Sequence, residues 1–263
     1  MKVVTLGSGS KGNSTYIETD GAKILIDAGF TISELEKRLN LIGVEASNID
    51  AIIITHEHSD HIKGVANFNK KYGTKIYAHS NLWGILEDKL GKIKLDEREE
   101  FFVDPFKIND LIIESFELPH DASYCVGFSL YNEGSKVSIA TDLGYATKNI
   151  VEKLKNSNLL ILEANHDISA LRANTKYPSY LKRRILSNKG HLSNESAGQV
   201  LLELVNCGVQ QVVLAHLSEQ NNTPQIAFET VRDFLNKYGI IEGKHIFIDV
   251  APQDKIGNIF NLK

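Results

Sequence analysis

The chain has 263 residues, and its 29 Lys and Arg residues against 33 Asp and Glu give a formal net charge of −4. This balance excludes a globally basic protein, although a nuclease needs only a local positive track. The two cysteines, Cys125 and Cys207, exclude a disulfide framework and a thiolate-rich zinc site. No apolar run approaches membrane-spanning length and no signal-peptide core follows Met1, so we expect a cytoplasmic protein with no membrane partner.

Hydrophobic periodicity predicts strands at residues 2–6, 15–18, 23–26, 51–54 and 75–78. It predicts helices at 33–41 and 81–90, and a further helix that follows the loop after residue 54 and ends near residue 72. Residues 100–140 are rich in strand patterns. Helices at 148–155, 180–186, 194–205 and 224–237 then alternate with strands at 159–162, 211–214 and 245–249. Strand-rich stretches with helices outside predict an α/β (α+β) fold of two packed mixed sheets flanked by helices, as one domain spanning residues 1–263.

The run His56-Glu57-His58-Ser59-Asp60-His61 directly follows the apolar residues 51–54. It places three imidazoles and two carboxylates on a tight loop at the end of a buried strand. His56 and His58 are two residues apart and can face one point, whereas Asp60 and His61 can face a second. Because imidazole and carboxylate are ligands that Zn, Mn and Fe accept, the run predicts a site for two neighbouring metal ions.

Three further ligand candidates each end a strand-like segment. They are His120 after residues 111–119, Asp142 after 136–141, and His216 after 211–215. A lone histidine is more often a hydrogen-bonded structural residue than a ligand, so no one of them is decisive by itself. Strands that end side by side at one sheet edge would bring all three to the loop of His56.

The combined order of these residues, preceded by Asp27 in the segment Ile24–Gly29, resembles the metallo-β-lactamase-fold superfamily. The resemblance implies a four-layer αββα sandwich with its site at one edge. It implies two divalent ions, Zn²⁺ or Mn²⁺, with Fe²⁺ also accepted. It assigns His56, His58 and His120 to one ion and Asp60, His61 and His216 to the other, with Asp142 bridging them and Asp27 orienting a ligand from outside.

Glu163 and His191 resemble a Glu–His pair that serves proton transfer in the ribonuclease Z branch of this superfamily. A leaving alkoxide must be protonated, and a histidine held by a carboxylate is a suitable general acid. The implied mechanism is two-metal hydrolysis, in which Asp60 helps to hold the attacking water. Other polar residues are expected to contact substrate or simply to bond locally, namely Ser8, Ser10 and Asn13 of the glycine-rich loop at 7–14, His166, and Asn194.

Four segments resemble the YycJ/WalJ-like branch of the superfamily, at residues 7–14, 163–167, 190–195 and 214–218. This resemblance implies a phosphodiesterase, an exonuclease that digests DNA rather than RNA from a 5′ end and that acts in DNA repair. The basic cluster Lys182-Arg183-Arg184 is either a phosphate track or a solvated helix face. The alternative function is thioester hydrolysis of the glyoxalase II kind, which the same seven ligands would serve. The Glu163–His191 pair discriminates, because a thiolate leaving group needs no general acid.

Overall fold

Two seven-stranded mixed sheets form the centre of the protein, whose residues 1–263 are described by a computed structural model. The strands in chain order are β1 (Lys2–Gly7), β2 (Ser14–Glu18), β3 (Lys23–Ile26), β4 (Ala51–Ile53), β5 (Lys75–His79), β6 (Arg98–Phe101), β7 (Phe106–Ile108), β8 (Leu111–Glu117), β9 (Val126–Asn132), β10 (Ser135–Ala140), β11 (Leu159–Glu163), β12 (Gln211–Ala215), β13 (Phe247–Val250) and β14 (Ile259–Asn261). The first sheet has the order β14-β1-β2-β3-β4-β5-β6, and the second has the order β13-β12-β11-β10-β9-β8-β7.

Nine α-helices accompany the sheets. In chain order they are α1 (Ile32–Leu41), α2 (Ser59–Ile62), α3 (Val65–Tyr72), α4 (Trp83–Leu90), α5 (Lys148–Leu154), α6 (Ile168–Ala173), α7 (Ser179–Ile185), α8 (Asn194–Val205) and α9 (Pro224–Asn236). Ser193 and Thr223 cap α8 and α9, each accepting a hydrogen bond from the backbone N–H three residues on. None of the helices combines the length and the apolar character needed to cross a membrane.

Three apolar layers hold the architecture together. The central layer lies between the sheets and joins side chains such as Ile26 and Ile53 of the first sheet to Phe128 and Val213 of the second. A second layer packs the first sheet against α1, α3 and α4. The third packs the second sheet against α5, α8 and α9. The predicted sandwich of two mixed sheets flanked by helices is therefore confirmed.

The strand directions place the polar strand ends at one edge. Strands β3 to β6 of the first sheet run parallel, as do β10 to β13 of the second. Strand β8 points the same way as β10, because both are antiparallel to β9. Polar residues that follow β3, β4, β8, β10 and β12 therefore meet on one side of the molecule.

Three features of the fold differ from the sequence expectations. The helix predicted after the metal loop is divided into α2 and α3 at Gly64, where the chain packs so closely that a Cβ would lie 2.3 Å from the carbonyl oxygen of Phe30. The sequence analysis missed α6, which is short and begins with the cap Asp167. It also missed β14, which exists only by pairing with β1 at the other end of the chain.

Gly29 is the position at which the loop after β3 touches the metal loop. A Cβ there would lie 1.7 Å from the carbonyl oxygen of Asp60 and 2.6 Å from the backbone nitrogen of Asn13. We expect Gly29→Ala to lower the free energy of unfolding by about 2–3 kcal/mol, because backbone atoms must move to admit the methyl group. Gly84→Ala is the matched control: nothing lies within 4 Å of its added Cβ in α4. That variant should gain up to about 1 kcal/mol. Urea midpoints measure both, and equal midpoints would contradict the close packing.

Candidate metal centre

The residues predicted as ligands come from both sheets and meet at the shared edge. In the first sheet, Asp27 follows β3 and the run from His56 to His61 follows β4. In the second sheet, His120 follows β8, Asp142 follows β10 and His216 follows β12. Strand ends that are remote in sequence thus supply one cluster, and the expected convergence of these residues is what the structure contains.

Three of these residues have a left-handed backbone. The φ angle is 61° at Asp27, 64° at Asp142 and 55° at His216. This region is uncommon for residues other than glycine, and its strain persists only where the surroundings over-determine the conformation. Each of these residues lies directly after a strand, where the left-handed backbone turns the chain. No local sequence pattern signals these turns.

The first group of candidate ligands comprises His56, His58 and His120, whose ring nitrogens lie within 4.8 Å of one another. His58 Nδ1 and His120 Nε2 are 3.4 Å apart. His56 is fully buried, and its Nε2 has no hydrogen-bond partner. Three imidazoles therefore present nitrogen atoms to one point.

The second group comprises Asp60, His61 and His216. Asp60 Oδ2 lies 3.5 Å from His61 Nε2 and 3.4 Å from His216 Nε2. Asp142 lies between the two groups, with its Oδ2 3.2 Å from His61 Nε2 and its Oδ1 3.6 Å from His120 Nε2. A single carboxylate is thereby in reach of both points.

Two buried atoms test whether this arrangement fits metal ions. His56 Nε2 is buried without a hydrogen-bond partner, and Asp142 Oδ2, although 3.2 Å from His61 Nε2, makes no hydrogen bond of acceptable geometry. Buried polar atoms are normally satisfied, and the donor set of imidazoles and carboxylates is one that divalent ions accept. Because a cation would satisfy both atoms at once, the buried clusters fit a dinuclear metal centre.

The electrostatics of the site favour a cation. Burial alone would lower the pKa of His61, but the carboxylates of Asp142 and Asp27 outweigh it and hold the pKa well above its usual value. Burial also opposes the charged ring of His216, yet Asp142, Asp60 and Glu163 together raise its pKa to about 10. The carboxylates thus create a negative potential that offsets the cost of burying positive charge, and the same potential attracts divalent ions.

One buried carboxylate from each sheet orients the histidines. Asp27 Oδ2 accepts a hydrogen bond from His61 Nδ1 at 2.6 Å, and the same carboxylate also accepts from the backbone and the hydroxyl of Thr55. Glu163 Oε1 accepts from His216 Nδ1 and from His191 Nδ1, each at 2.8 Å. With Nδ1 held from behind, the Nε2 atoms of His61 and His216 are directed at Asp60.

The pair of Glu163 and His191 is formed as predicted from the sequence. His191 lines a pocket of about 230 Å³ together with the candidate ligands His58, Asp60, Asp142 and His216. Burial would lower its pKa, but the charge of Glu163 and the hydrogen bond to it raise the pKa above its usual value. The contact between Glu163 and His216 is new, and it makes one carboxylate common to the metal cluster and to His191.

The family is shown by a match over most of the chain, since residues 22–217 match the beta-lactamase superfamily domain. The strand-end ligands lie within the matched residues. The chain belongs to the metallo-β-lactamase superfamily. Exodeoxyribonuclease YycJ of Bacillus anthracis is 35% identical over 250 residues, which are 94% of each chain. Exodeoxyribonuclease WalJ of Streptococcus pneumoniae is 36% identical over 88% of this chain and 87% of the relative. The solved structure of the metallo-β-lactamase fold protein YhfI from Bacillus subtilis shares the fold, with a TM-score of 0.73, 20% identity and 98% of both chains covered.

The residues expected to contact substrate in this metallo-β-lactamase fold have different surroundings. Asn13 is buried and donates through Nδ2 to Asp60 Oδ2 at 3.2 Å, while Ser8 Oγ accepts from the backbone N–H of His216. Asn194 is buried, and both atoms of its amide bond to Asn222. These three side chains are engaged by protein groups. His166 is buried with neither ring nitrogen paired, and burial lowers its pKa to about 4. Only Ser10 of the five lines the pocket.

The sequence analysis missed one wall of the pocket. Residues of α7 and of the segment before it line the pocket together with the ligands, among them Tyr177, Leu181 and Arg184. The basic cluster at 182–184 was the one feature of the sequence that pointed to this wall. Tertiary packing decides which side of the helix these residues occupy and how near they lie to the metal loop.

Asp27 and Glu163 should control metal affinity without binding a metal themselves. We expect Asp27→Asn and Glu163→Gln each to weaken metal binding by roughly 10–100-fold, because the amide cannot hold the imidazole in the same orientation. Competition with a chromogenic chelator measures this affinity. Glu114→Gln is the matched control, since Glu114 pairs with Lys153 away from the site. Wild-type affinity in both site variants would contradict the orienting role.

Proposed function

We propose that this protein is a metal-dependent exonuclease that releases nucleotides from the 5′ end of DNA and acts in DNA repair. The observation that carries the proposal is the Glu163–His191 pair beside the two ligand groups at one pocket. The relatives named exodeoxyribonuclease, which match about nine-tenths of the chain, support DNA rather than RNA as the substrate.

Two divalent ions, Zn²⁺ or Mn²⁺ with Fe²⁺ as a further candidate, fit the two ligand groups. His56, His58 and His120 would hold one ion, Asp60, His61 and His216 the other, with Asp142 shared between them. When bound, such a pair lowers the pKa of a water molecule and offsets negative charge on phosphate oxygens. Asp27 and Glu163 keep the imidazoles in the tautomer that binding requires.

His191 supplies the proton that the departing oxygen needs. Glu163 accepts from His191 Nδ1, which leaves Nε2 for the substrate and favours the charged ring. Breaking a phosphodiester releases an alkoxide, whose protonation by a positioned acid assists the reaction. Since a thiolate leaves without such help, the pair favours phosphodiester over thioester hydrolysis.

A defined substrate tests the activity and its polarity. We expect Mn²⁺-loaded protein to release nucleotides progressively from the 5′ end of a 5′-phosphorylated, 3′-labelled duplex. Asp60→Asn should abolish turnover at equal metal content, because it removes a carboxylate that faces both His61 and His216. Gel analysis of the products measures both effects. An intact duplex together with cleavage of a glutathione thioester would overturn the proposal.

His191→Ala separates proton transfer from metal binding. We expect this variant to retain both metals and to turn over about 10²–10⁴-fold more slowly, the range typical of a general acid. Metal content is measured by elemental analysis alongside kcat. Loss of metal in the variant would instead make His191 a ligand.

A further inference from the structure

The segment of residues 168–194 has an unusual charge. It contains six Lys or Arg residues and no Asp or Glu, in a chain with a net charge of −4. A solvated helix face ordinarily carries charges of both signs. The six cations are Arg172, Lys176, Lys182, Arg183, Arg184 and Lys189.

This basic segment forms one wall of the metal pocket. Tyr177, Leu181, Arg184 and Ile185 line the pocket together with the candidate ligands. Helix α7, which lies within the segment, buries none of its residues. Most helices of globular proteins are stabilised by burying an apolar face, so α7 contributes little to the core. Its place beside the pocket therefore indicates a role on the surface.

The cations of the segment are largely without acidic partners. Arg184 pairs with Asp121, and no other Lys or Arg of the segment has a carboxylate within 4.0 Å. Arg172, Lys176, Arg183 and Lys189 are exposed to solvent. Like charges at this density repel one another, and a polyanion lying along the segment would relieve that repulsion.

We propose that residues 172–189 form the track that binds the phosphate backbone of the DNA strand, with Arg184 reaching the phosphate inside the pocket. This inference rests on the proposed nuclease function and says where its substrate lies. The pocket of about 230 Å³ is smaller than the usual site for a small-molecule ligand, about 300–1,000 Å³, so it accommodates only the strand end. The remainder of the strand lies outside, along the basic track.

Arg184 can exchange its carboxylate partner for a phosphate group, and its guanidinium is a suitable ligand for phosphate. Its side chain is 54% exposed, and its partner Asp121 also faces His120 Nε2 at 3.3 Å. An exposed ion pair of this kind contributes little stability, and a guanidinium binds phosphate oxygens with two parallel hydrogen bonds. Tyr177 at the pocket and the exposed Tyr180 offer rings on which bases stack.

A charge-matched pair of triple variants tests the track. The test variant is Lys176→Ala, Arg183→Ala and Lys189→Ala, and the control is Lys70→Ala, Lys107→Ala and Lys244→Ala. All six residues are exposed and none has an ion-pair partner, but the control residues lie outside the basic segment. The probe is a fluorescent 5′-phosphorylated 20-nucleotide strand with phosphorothioate linkages, titrated onto Mn²⁺-loaded protein at several KCl concentrations.

We expect the test variant to bind the strand at least about tenfold more weakly at 0.1 M salt, with the control unchanged. The slope of log affinity against log salt should fall by about 2, since each lost single-strand phosphate contact removes about 0.7. For a 5′-phosphorylated dinucleotide, too short to lie along the track, the test variant should raise KM far less than it raises KM for the long strand. An unchanged slope, or the same change in the control, would overturn the track.

Arg184→Ala separates the pocket from the rest of the track. We expect it to raise KM for the dinucleotide as well as for the long strand, with partial rescue in Arg184→Lys, which keeps the charge but not the paired donors. An unchanged dinucleotide KM would remove Arg184 from the proposal. Strand binding is measured without turnover, so it tests the track independently of the nuclease activity. If the wild-type protein bound the strand but hydrolysed no DNA, the nuclease function would be contradicted and the proposed track would still hold.

Discussion

The arrangement of the site depends on two buried carboxylates that each hold a histidine from behind. Asp27, from the first sheet, accepts from His61, and Glu163, from the second sheet, accepts from His216. A buried carboxylate is strongly destabilising unless it is paired and hydrogen-bonded, and both have several donors. Glu163 accepts also from the backbone of Leu143 and Leu192. The two sheets therefore supply the hydrogen-bond donors that offset the cost of burying these carboxylates. The carboxylates in turn fix the orientation of the imidazoles.

The glycine-rich loop joins the two sheets at the site. Asn13 reaches Asp60 and accepts from Ser8, whose hydroxyl receives the backbone N–H of His216. A loop of the first sheet thus positions a candidate ligand of the second. Gly29 takes part in the same contact, because its backbone N–H donates to the carbonyl oxygen of Asn13. The space around Gly29 leaves no room for a Cβ. The role that the structure supports for most of this loop is to hold the ligands, while Ser10 alone faces the pocket.

The pocket is lined by charged residues of both signs. The candidate ligands include Asp60 and Asp142, which favour divalent ions, whereas Arg184 lines the same pocket and the other cations of the basic segment lie near it in the chain. A nucleic-acid phosphodiester would use both groups of residues. Cations held by the carboxylates would contact the phosphate oxygens at the reacting bond, and the basic residues would contact the backbone phosphates beyond it. A net charge of −4 conceals this local division.

The sequence by itself determined the ligand types, most strands and helices, and the family. His56 to His61 stand together on one loop, and alternation or apolar runs mark the strands that carry His120, Asp142 and His216. These signals are local, so spacing and periodicity reveal them. The left-handed turns at Asp27, Asp142 and His216, the contact of Glu163 with two histidines, the pairing of β14 with β1, and the position of α7 beside the pocket were decided by tertiary structure. Each depends on atoms far apart in the chain, whose approach follows from packing the two sheets and has no counterpart in local sequence.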